Sequence, residues 1–341
     1  MNFKAAVLFK QKTKLKIVKL KIPEKLEKGQ ILVKIINAAI CGAQIGEIDG
    51  VKGKDRWLPH CMGHEGFGKV VKVPHHHTKF KVNDHVILHW RQSYGHNARP
   101  ASYNSKYGII NAGNVTTFQE YAIISENRLT KINYSKKFLK IYPLLGCAIP
   151  TSWGILNKEI KLNKKDNLLI FGAGGIGITI GIIAKIMGIK CIDLIDNKNK
   201  KNLLKKFGLN FVKSKNLKKL SIKNYSKVID TTGDVKNIEK GFDLTSKNGF
   251  LVLVGQPKIN SNLLIKNPLR LFNSPNDNIK IISSDGGMFN PDQDLKKIFK
   301  MIKDNLPVFK KIISHSFNLN NINKAIRILR KGKSIRVGIK L

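Results

Sequence analysis

Long apolar runs, cysteines and acidic residues are all scarce in this chain of 341 residues. Glycine or lysine interrupts every apolar stretch before it reaches the roughly 18 residues of a membrane-spanning helix. Six lysines among the first 20 residues exclude a signal-peptide pattern. Four cysteines are too few for a disulfide framework in a chain of this length, so reduced thiols that a metal can use are expected. These absences predict a cytoplasmic protein that makes no membrane contact.

The shortage of acids leaves a large positive charge. Only 22 acidic residues oppose 62 basic ones, which gives a formal net charge of +40. Such a charge is typical of nucleic-acid partners. However, only eight of the 62 basic residues are arginine, the side chain suited to bidentate recognition of bases and phosphates. Lysine, asparagine and isoleucine are enriched together, as in proteins encoded by A/T-rich genomes, so we interpret the charge as compositional and consider a nucleic-acid partner unlikely.

The pattern of apolar residues changes near residue 150. The first part reads as short strands broken by turn-forming residues, which predicts an all-β domain. Strand-like runs then alternate with helical stretches, which indicates a doubly wound parallel sheet and an α/β fold class. The strand-like runs are residues 167–171, 190–195, 228–230 and 250–255. A helix over residues 322–329 and a strand over residues 336–341 are predicted near the end.

A glycine-rich loop follows the first of these strand-like runs. Its glycines form the pattern G-x-G-x-x-G and open an apolar helical stretch, as a dinucleotide-binding turn requires. The residues predicted to bind the cofactor here are Gly172, Gly174, Gly175, Ile176 and Gly177. A glycine-rich turn in a domain that binds no nucleotide is the alternative.

Asp196 lies 24 residues after Gly172, at the end of the next strand-like run. A carboxylate there can accept both ribose hydroxyls and would repel a 2′-phosphate, which favours NAD over NADP. The cations Lys198, Lys200 and Lys201 follow closely and could soften that repulsion.

Three residues could hold a metal ion. Two thiolates, Cys41 and Cys147, and the imidazole of His64 would leave one tetrahedral position open, as a catalytic zinc needs. Glu65 follows His64 directly. The spacings alone do not establish the site, because isolated cysteines are more often buried in a core.

The chain resembles the zinc-dependent medium-chain alcohol dehydrogenases along nearly its whole length. The shared motifs, in the family's order, are CG at 41–42, GHEG at 63–66, KFKVNDHV at 79–86, GCAIPTSWG at 146–154, GAGGIG at 172–177, DTTG at 230–233, VLVGQP at 252–257 and GKSIRVGIKL at 332–341. The resemblance implies a GroES-like β domain over residues 1–149, completed by residues 288–341. It implies an inserted Rossmann domain over residues 150–287.

The same resemblance assigns roles to single residues. Cys41, His64 and Cys147 match the protein ligands of the catalytic zinc, and Glu65 matches an acid that can approach the metal transiently. These four residues are therefore the expected catalytic residues. The implied reaction transfers a hydride between a primary or secondary alcohol and NAD(P), with an aldehyde or ketone as the product.

Two further residues match cofactor contacts of the family. Thr151 matches a residue on the nicotinamide side, and Arg336 matches a basic residue that contacts the pyrophosphate; a plain surface cation is the alternative for Arg336. The polar content of residues 91–117 suggests a polar alcohol or aldehyde as the substrate. A homodimer or homotetramer is the family expectation.

The chain departs from the family pattern around the metal. Residues 90–115, which match a lobe with four cysteines in many relatives, contain no cysteine, so one catalytic zinc and no structural zinc are expected. Gln44 stands where an acid commonly orients the zinc-bound histidine. A glutamine carbonyl can still accept from the ring N–H, but it raises the basicity of the ligand less than a carboxylate does.

The usual proton relay is also missing. Ala43 replaces a serine or threonine that takes the alcohol proton, and Gly46 replaces a histidine found in some relatives. Glu47, Asp49 or a chain of water molecules are the candidate replacements.

Two rival functions remain open. The charge of +40 and Ala43 would fit a member that has lost catalysis and binds polyanions or nucleic acid. A zinc-free quinone reductase of the same superfamily is the other, but the presence of all three ligand positions argues against it.

Overall fold

A computed structural model describes residues 1–75, 78–214, 224–332 and 334–341. The chain forms two compact units. The first contains Met1–Pro150 and Asn290–Leu341, and the second contains Thr151–Phe289. We propose that these units are the two domains expected from the sequence. Within the described ranges, every helix is too short or too polar to cross a membrane.

The strands, in chain order, are β1 (Asn2–Leu8), β2 (Lys16–Lys21), β3 (Gln30–Ile40), β4 (His60–Cys61), β5 (Gly66–Lys72), β6 (His85–Leu88), β7 (Ser102–Ser105), β8 (Gly108–Asn111), β9 (Tyr121–Ser125), β10 (Leu129–Lys131), β11 (Leu168–Phe171), β12 (Ile192–Asp196), β13 (Asn210–Lys213), β14 (Tyr225–Asp230), β15 (Thr245–Leu253), β16 (Lys280–Ser283), β17 (Ile313–Asn318) and β18 (Arg336–Lys340). The α-helices are α1 (Gly42–Asp49), α2 (Ala148–Gly154), α3 (Gly175–Ile186), α4 (Lys201–Lys205), α5 (Val235–Leu244), α6 (Pro291–Asp304), α7 (Leu306–Lys310) and α8 (Ile322–Arg330).

The first unit is built from β-strands. Strands β1, β2, β7, β8 and β4 close a barrel in that order, and a second sheet has the order β10-β6-β5-β3-β18-β17, with β9 also paired to β3. Alternation along β2 places Val18 and Leu20 in the core and leaves Lys16, Lys19 and Lys21 exposed. A strand turns successive side chains to opposite faces, so lysines can be numerous without entering the core.

Residues 91–117, which were expected to replace a metal-binding lobe, contain β7 and β8. These strands pair antiparallel with each other, and they connect β2 to β4 in the barrel. Tyr103 and Ile110 from this hairpin pack in the barrel core with Cys61. Much of the segment is therefore part of the scaffold.

The second unit contains a parallel sheet. Among its described strands the order is β13-β12-β11-β14-β15-β16, and every pairing is parallel. Counted from β11, this is the strand order 3-2-1-4-5-6 of a Rossmann fold, so the predicted fold class is confirmed. Sheets of this kind bind ligands outside the carboxyl ends of the strands, where the order reverses between β11 and β14.

Candidate metal centre and cofactor site

The fold brings the three predicted metal ligands together. Cys41 follows β3 and precedes α1, His64 lies between β4 and β5, and Cys147 directly precedes α2. The Sγ atoms of both cysteines and a ring nitrogen of His64 all lie within 4.8 Å of one another. Residues 23 and 83 positions apart thus converge, because β3, β5 and the turn before α2 are neighbours in the first unit.

A glycine allows the Cys147 segment to come close enough. A Cβ atom at Gly146 would lie 2.2 Å from the carbonyl oxygen of Leu88 and 2.9 Å from Cα of Glu65. Real Cβ atoms do not approach backbone this closely, so any larger residue would push Cys147 away from His64. The GC pair of the sequence motif therefore has a steric cause.

The electrostatics of the cluster favour a cation. The thiol of Cys147 donates to Cys41, and this bond, together with the charge of Arg336, holds the pKa of Cys41 well below its usual range. The same bond and burial raise the pKa of Cys147. His64 Nε2 is buried and has no hydrogen-bond partner within the described part of the chain. One thiolate, one further thiol and an orphaned ring nitrogen are a donor set that zinc fits, with displacement of the thiol proton.

Glu65 and Arg336 form a buried pair beside the ligands. Their nearest charged atoms, Oε1 and Nη1, are 3.8 Å apart, and each residue is at most 1% exposed. Burial raises the pKa of Glu65 to about 7, although Arg336 opposes this. The carboxyl can therefore change protonation near neutral pH. Its transient approach to the metal stays a prediction, as does the contact between Arg336 and the cofactor pyrophosphate.

Gln44 holds His64 in place through an amide rather than a carboxylate. Its side-chain oxygen accepts from the backbone N–H of Cys41 at 3.1 Å, and its nitrogen contacts Nδ1 of His64. In this orientation Nδ1 acts as the acceptor. A metal on Nε2 requires the ring proton on Nδ1, so the amide must turn over and abandon Cys41. A carboxylate would accept from both groups at once.

Replacing Gln44 by the isosteric glutamate should therefore tighten metal binding. For Gln44→Glu we expect zinc affinity to rise roughly 10- to 100-fold, the size of effect typical of partners that orient a ligand. Competition with a chromophoric chelator at fixed pH measures it. Gln92→Glu, which adds the same charge at an exposed position, is the control. Unchanged or weaker binding in Gln44→Glu would contradict this account of the amide.

Both acids considered as proton acceptors have other partners. The carboxylate of Asp49 makes a bidentate ion pair with Arg330, with both distances at 2.7 Å. Oε1 of Glu47 lies 3.8 Å from Nε2 of His60. Ala43 itself is exposed, so solvent reaches the position where relatives carry a hydroxyl. Water therefore remains as the candidate replacement that needs no protein group to move.

The glycine-rich loop of the second unit is shaped for a phosphate group. A Cβ atom at Gly177 would lie 1.9 Å from the carbonyl oxygen of Gly172, so only glycine lets α3 begin this close to β11. A Cβ atom at Gly174 would meet nothing within 4 Å. Open space thus faces the first turn of α3, whose free N–H groups and dipole attract a pyrophosphate. Gly175, Ile176 and Gly177 form that first turn.

Asp196 ends β12 next to this loop. One carboxylate oxygen accepts from the backbone N–H of Ala173 at 3.0 Å, and the other from that of Lys198 at 2.8 Å. These bonds fix the carboxylate beside the glycine-rich loop, as ribose recognition requires. Thr151 is buried, and its hydroxyl has no hydrogen-bond partner among the residues described. Its predicted nicotinamide contact remains untested.

Sequence reasoning missed two residues near α1. His60 and Asp55 form a close pair with a 2.8 Å contact, and neither was singled out as functional. No local motif marks them, because their link to Glu47 depends on how α1 packs against β4.

Comparisons with known proteins agree with this architecture. The family model described as Alcohol dehydrogenase GroES-like domain matches residues 27–134. The model described as Zinc-binding dehydrogenase matches residues 175–304. Together they cover parts of both units.

Similar proteins extend over the whole chain. The chain is 29% identical to an alcohol dehydrogenase class-3 of Drosophila melanogaster, over 99% of this chain and 97% of that protein. It is 25% identical to an S-(hydroxymethyl)glutathione dehydrogenase of Escherichia coli, with both proteins covered completely. The solved structure of benzyl alcohol dehydrogenase from Acinetobacter calcoaceticus superposes with a TM-score of 0.85 at 21% identity, over 100% and 99% of the two chains. With its metal-ligand cluster, its Rossmann sheet and both matching family models, the chain belongs to the zinc-dependent medium-chain alcohol dehydrogenases.

Proposed function

We propose that the protein is a zinc-dependent alcohol dehydrogenase that prefers NAD and holds one catalytic zinc per chain. It would interconvert a primary or secondary alcohol and the corresponding aldehyde or ketone. The observation that carries this proposal is the convergence of Cys41, His64 and Cys147 within 4.8 Å. A member that had lost catalysis would have no need to keep three ligands, a buried acid and a fitted glycine in register.

The residues around the metal would divide the work. Cys41, His64 and Cys147 would hold the zinc, and Gln44 would fix the ring of His64. When bound, zinc acts as a Lewis acid on the substrate oxygen, and the nicotinamide accepts or returns the hydride. Arg336 would balance the negative charge of the two thiolates and of Glu65.

The cofactor would bind through the second unit. The first turn of α3 would hold the pyrophosphate, and Asp196 would accept from the ribose hydroxyls. The carboxylate lies beside the loop with its two oxygens already fixed by backbone N–H groups. A 2′-phosphate would meet this charge at close range, which is the basis for the preference for NAD.

The proton released from the alcohol would leave through water. Ala43 has no hydroxyl, and both nearby acids of α1 have other partners. Water at the exposed Ala43 position can accept the proton without a protein relay. General acid–base groups typically contribute about 10²–10⁴-fold, so turnover would be slower than with a complete relay.

A substrate screen with metal analysis tests the proposal. Alcohols, polyols, aldehydes and S-(hydroxymethyl)glutathione, for which relatives are named, are assayed with NAD and NADP. We expect NAD-dependent turnover of at least one polar alcohol at moderate salt. A strong chelator should stop it, and added zinc should restore it.

The rival function predicts different behaviour. Binding to nucleic acid should weaken steeply as salt rises, because counterions are released from the phosphates. Zinc-loaded protein that turns over nothing in the screen, but binds nucleic acid with a steep salt dependence, would overturn the proposal. Turnover that survives complete removal of zinc would favour a quinone reductase instead.

A further inference from the structure

A second cluster of possible metal ligands lies outside the catalytic centre. Glu47 belongs to α1, Asp55 lies in the loop that follows, and His60 begins β4. One carboxylate oxygen from each acid and a ring nitrogen of His60 lie within 4.8 Å of one another. None of the three is a proposed ligand of the catalytic zinc.

The hydrogen bonds of His60 show which ring nitrogen is free. Nδ1 lies 2.8 Å from the carbonyl oxygen of Cys61, which can only accept, so Nδ1 carries a hydrogen. Nε2 faces Oδ2 of Asp55 at 2.8 Å and Oε1 of Glu47 at 3.8 Å. Ionised carboxylates also only accept. The lone pair of a neutral ring would therefore point at two anions, so a proton or a metal cation must lie between them.

Burial and charge distinguish these two occupants. The side chains of His60 and Asp55 are 7% and 10% exposed, whereas that of Glu47 is 42% exposed. A proton on Nε2 would leave the trio with one unbalanced negative charge beside a buried ring. A divalent cation would balance both carboxylates, and it could enter past Glu47.

The remaining atoms are already arranged for coordination. Oδ1 of Asp55 accepts from the backbone N–H of Trp57 at 2.8 Å, which leaves Oδ2 for a cation. Histidine ligands usually donate their second ring N–H to a carbonyl or carboxylate, as His60 does to Cys61. Such a bond fixes both the tautomer and the orientation of the ring.

We propose that Glu47, Asp55 and His60 form a second metal site for a divalent first-row cation. One imidazole with two carboxylates suits Zn²⁺, with open positions for water. The site lacks thiolates, so it would bind zinc more weakly than Cys41, His64 and Cys147 do. Protein freed of loosely held metal would then carry one zinc, and the second would enter only when zinc is added.

The cation would connect α1 to the strand that leads to His64. Helix α1 begins next to Cys41 and carries Gln44, which contacts His64. His60 lies four residues before His64 on the other side. Occupancy would therefore stabilise the scaffold of the catalytic ligands, whether or not the enzyme turns over substrate.

Metal titration of the full-length protein with its catalytic zinc in place tests the site. We expect a second equivalent of Zn²⁺ to bind at micromolar free zinc and to raise the midpoint of thermal unfolding. Glu47→Gln and Asp55→Asn preserve shape and remove charge, and each should weaken this second binding roughly tenfold or more. Asp49→Asn, on the same helix but paired with Arg330, should bind the second zinc like the parent.

Cobalt separates the two sites by spectrum. Co²⁺ in the thiolate centre gives intense sulfur-to-metal charge-transfer absorption, and Co²⁺ on oxygen and nitrogen does not. Cys147→Ser should keep the second, weakly coloured equivalent, so failure of the catalytic assignment would not hide this site. Absence of a second equivalent at millimolar zinc, or binding unchanged in both Glu47→Gln and Asp55→Asn, would overturn the proposal and leave a proton on His60.

Discussion

Replacing Cys147 by serine should remove most of the tightly bound zinc and nearly all alcohol dehydrogenase activity. A serine hydroxyl stays protonated at neutral pH, so the site would lose one of its two thiolates. Lewis-acid stabilisation by a metal is worth several kcal/mol, and each 1.36 kcal/mol is a factor of ten in rate. We therefore expect kcat/KM to fall by about 10³-fold or more. Metal analysis and steady-state kinetics measure the two effects.

Cys191→Ser is the matched control for this variant. Cys191 lies just before β12 in the second unit and is only half-buried, away from the metal ligands. It should keep its zinc and its activity. Full retention of tightly bound zinc in both Cys41→Ser and Cys147→Ser would show that the metal is held elsewhere.

Removing the charge of Asp196 should shift the enzyme towards NADP. At about 6 Å and an effective dielectric constant near 20, two unit charges repel by about 3 kcal/mol. Loss of even half of this would change the ratio of kcat/KM for NAD and NADP by at least about tenfold. We expect a shift of roughly 10- to 100-fold in Asp196→Ala.

Two further variants sharpen this test. Asp196→Asn keeps an oxygen to accept from Ala173 and removes only the charge, so it should also shift the preference. Asp243→Asn removes an exposed charge from α5 and should leave the preference unchanged. Binding of NADH and NADPH, followed by fluorescence, reports the same ratio even in an inactive preparation. A parent enzyme that already favours NADP would contradict the argument and point to the lysines that follow Asp196.

Local signals predicted the second unit well. The strand-like run at 167–171 contains β11, and the glycine pattern after it forms the turn into α3. Such a turn depends on neighbouring residues, so the sequence shows it directly. Boundaries were less accurate where a strand is partly polar. Strand β15 starts at Thr245, five residues before the predicted run, because pairing with β14 extends it through Lys247 and Asn248.

The candidate metal centre was only partly predictable. Spacing along the chain could not show that Cys41, His64 and Cys147 converge, and the family resemblance supplied that expectation. The contacts of Gln44 on both Cys41 and His64 required coordinates, since its two amide ends differ only in hydrogen bonding. His60 had no motif, and its meeting with Glu47 depends on tertiary packing alone.

The position of β18 determines when the first unit can finish folding during synthesis. The end of β3, Asn37–Ile40, pairs with β18, which the ribosome makes some 300 residues later. The second unit is continuous in sequence, so all its strands have emerged before β18 exists. It can therefore fold first, although it begins later in the chain. Arg336 arrives with β18, so the buried charge of Glu65 and the two cysteines is balanced only in the last step, and assembly of the metal centre ends the folding of the newly made chain.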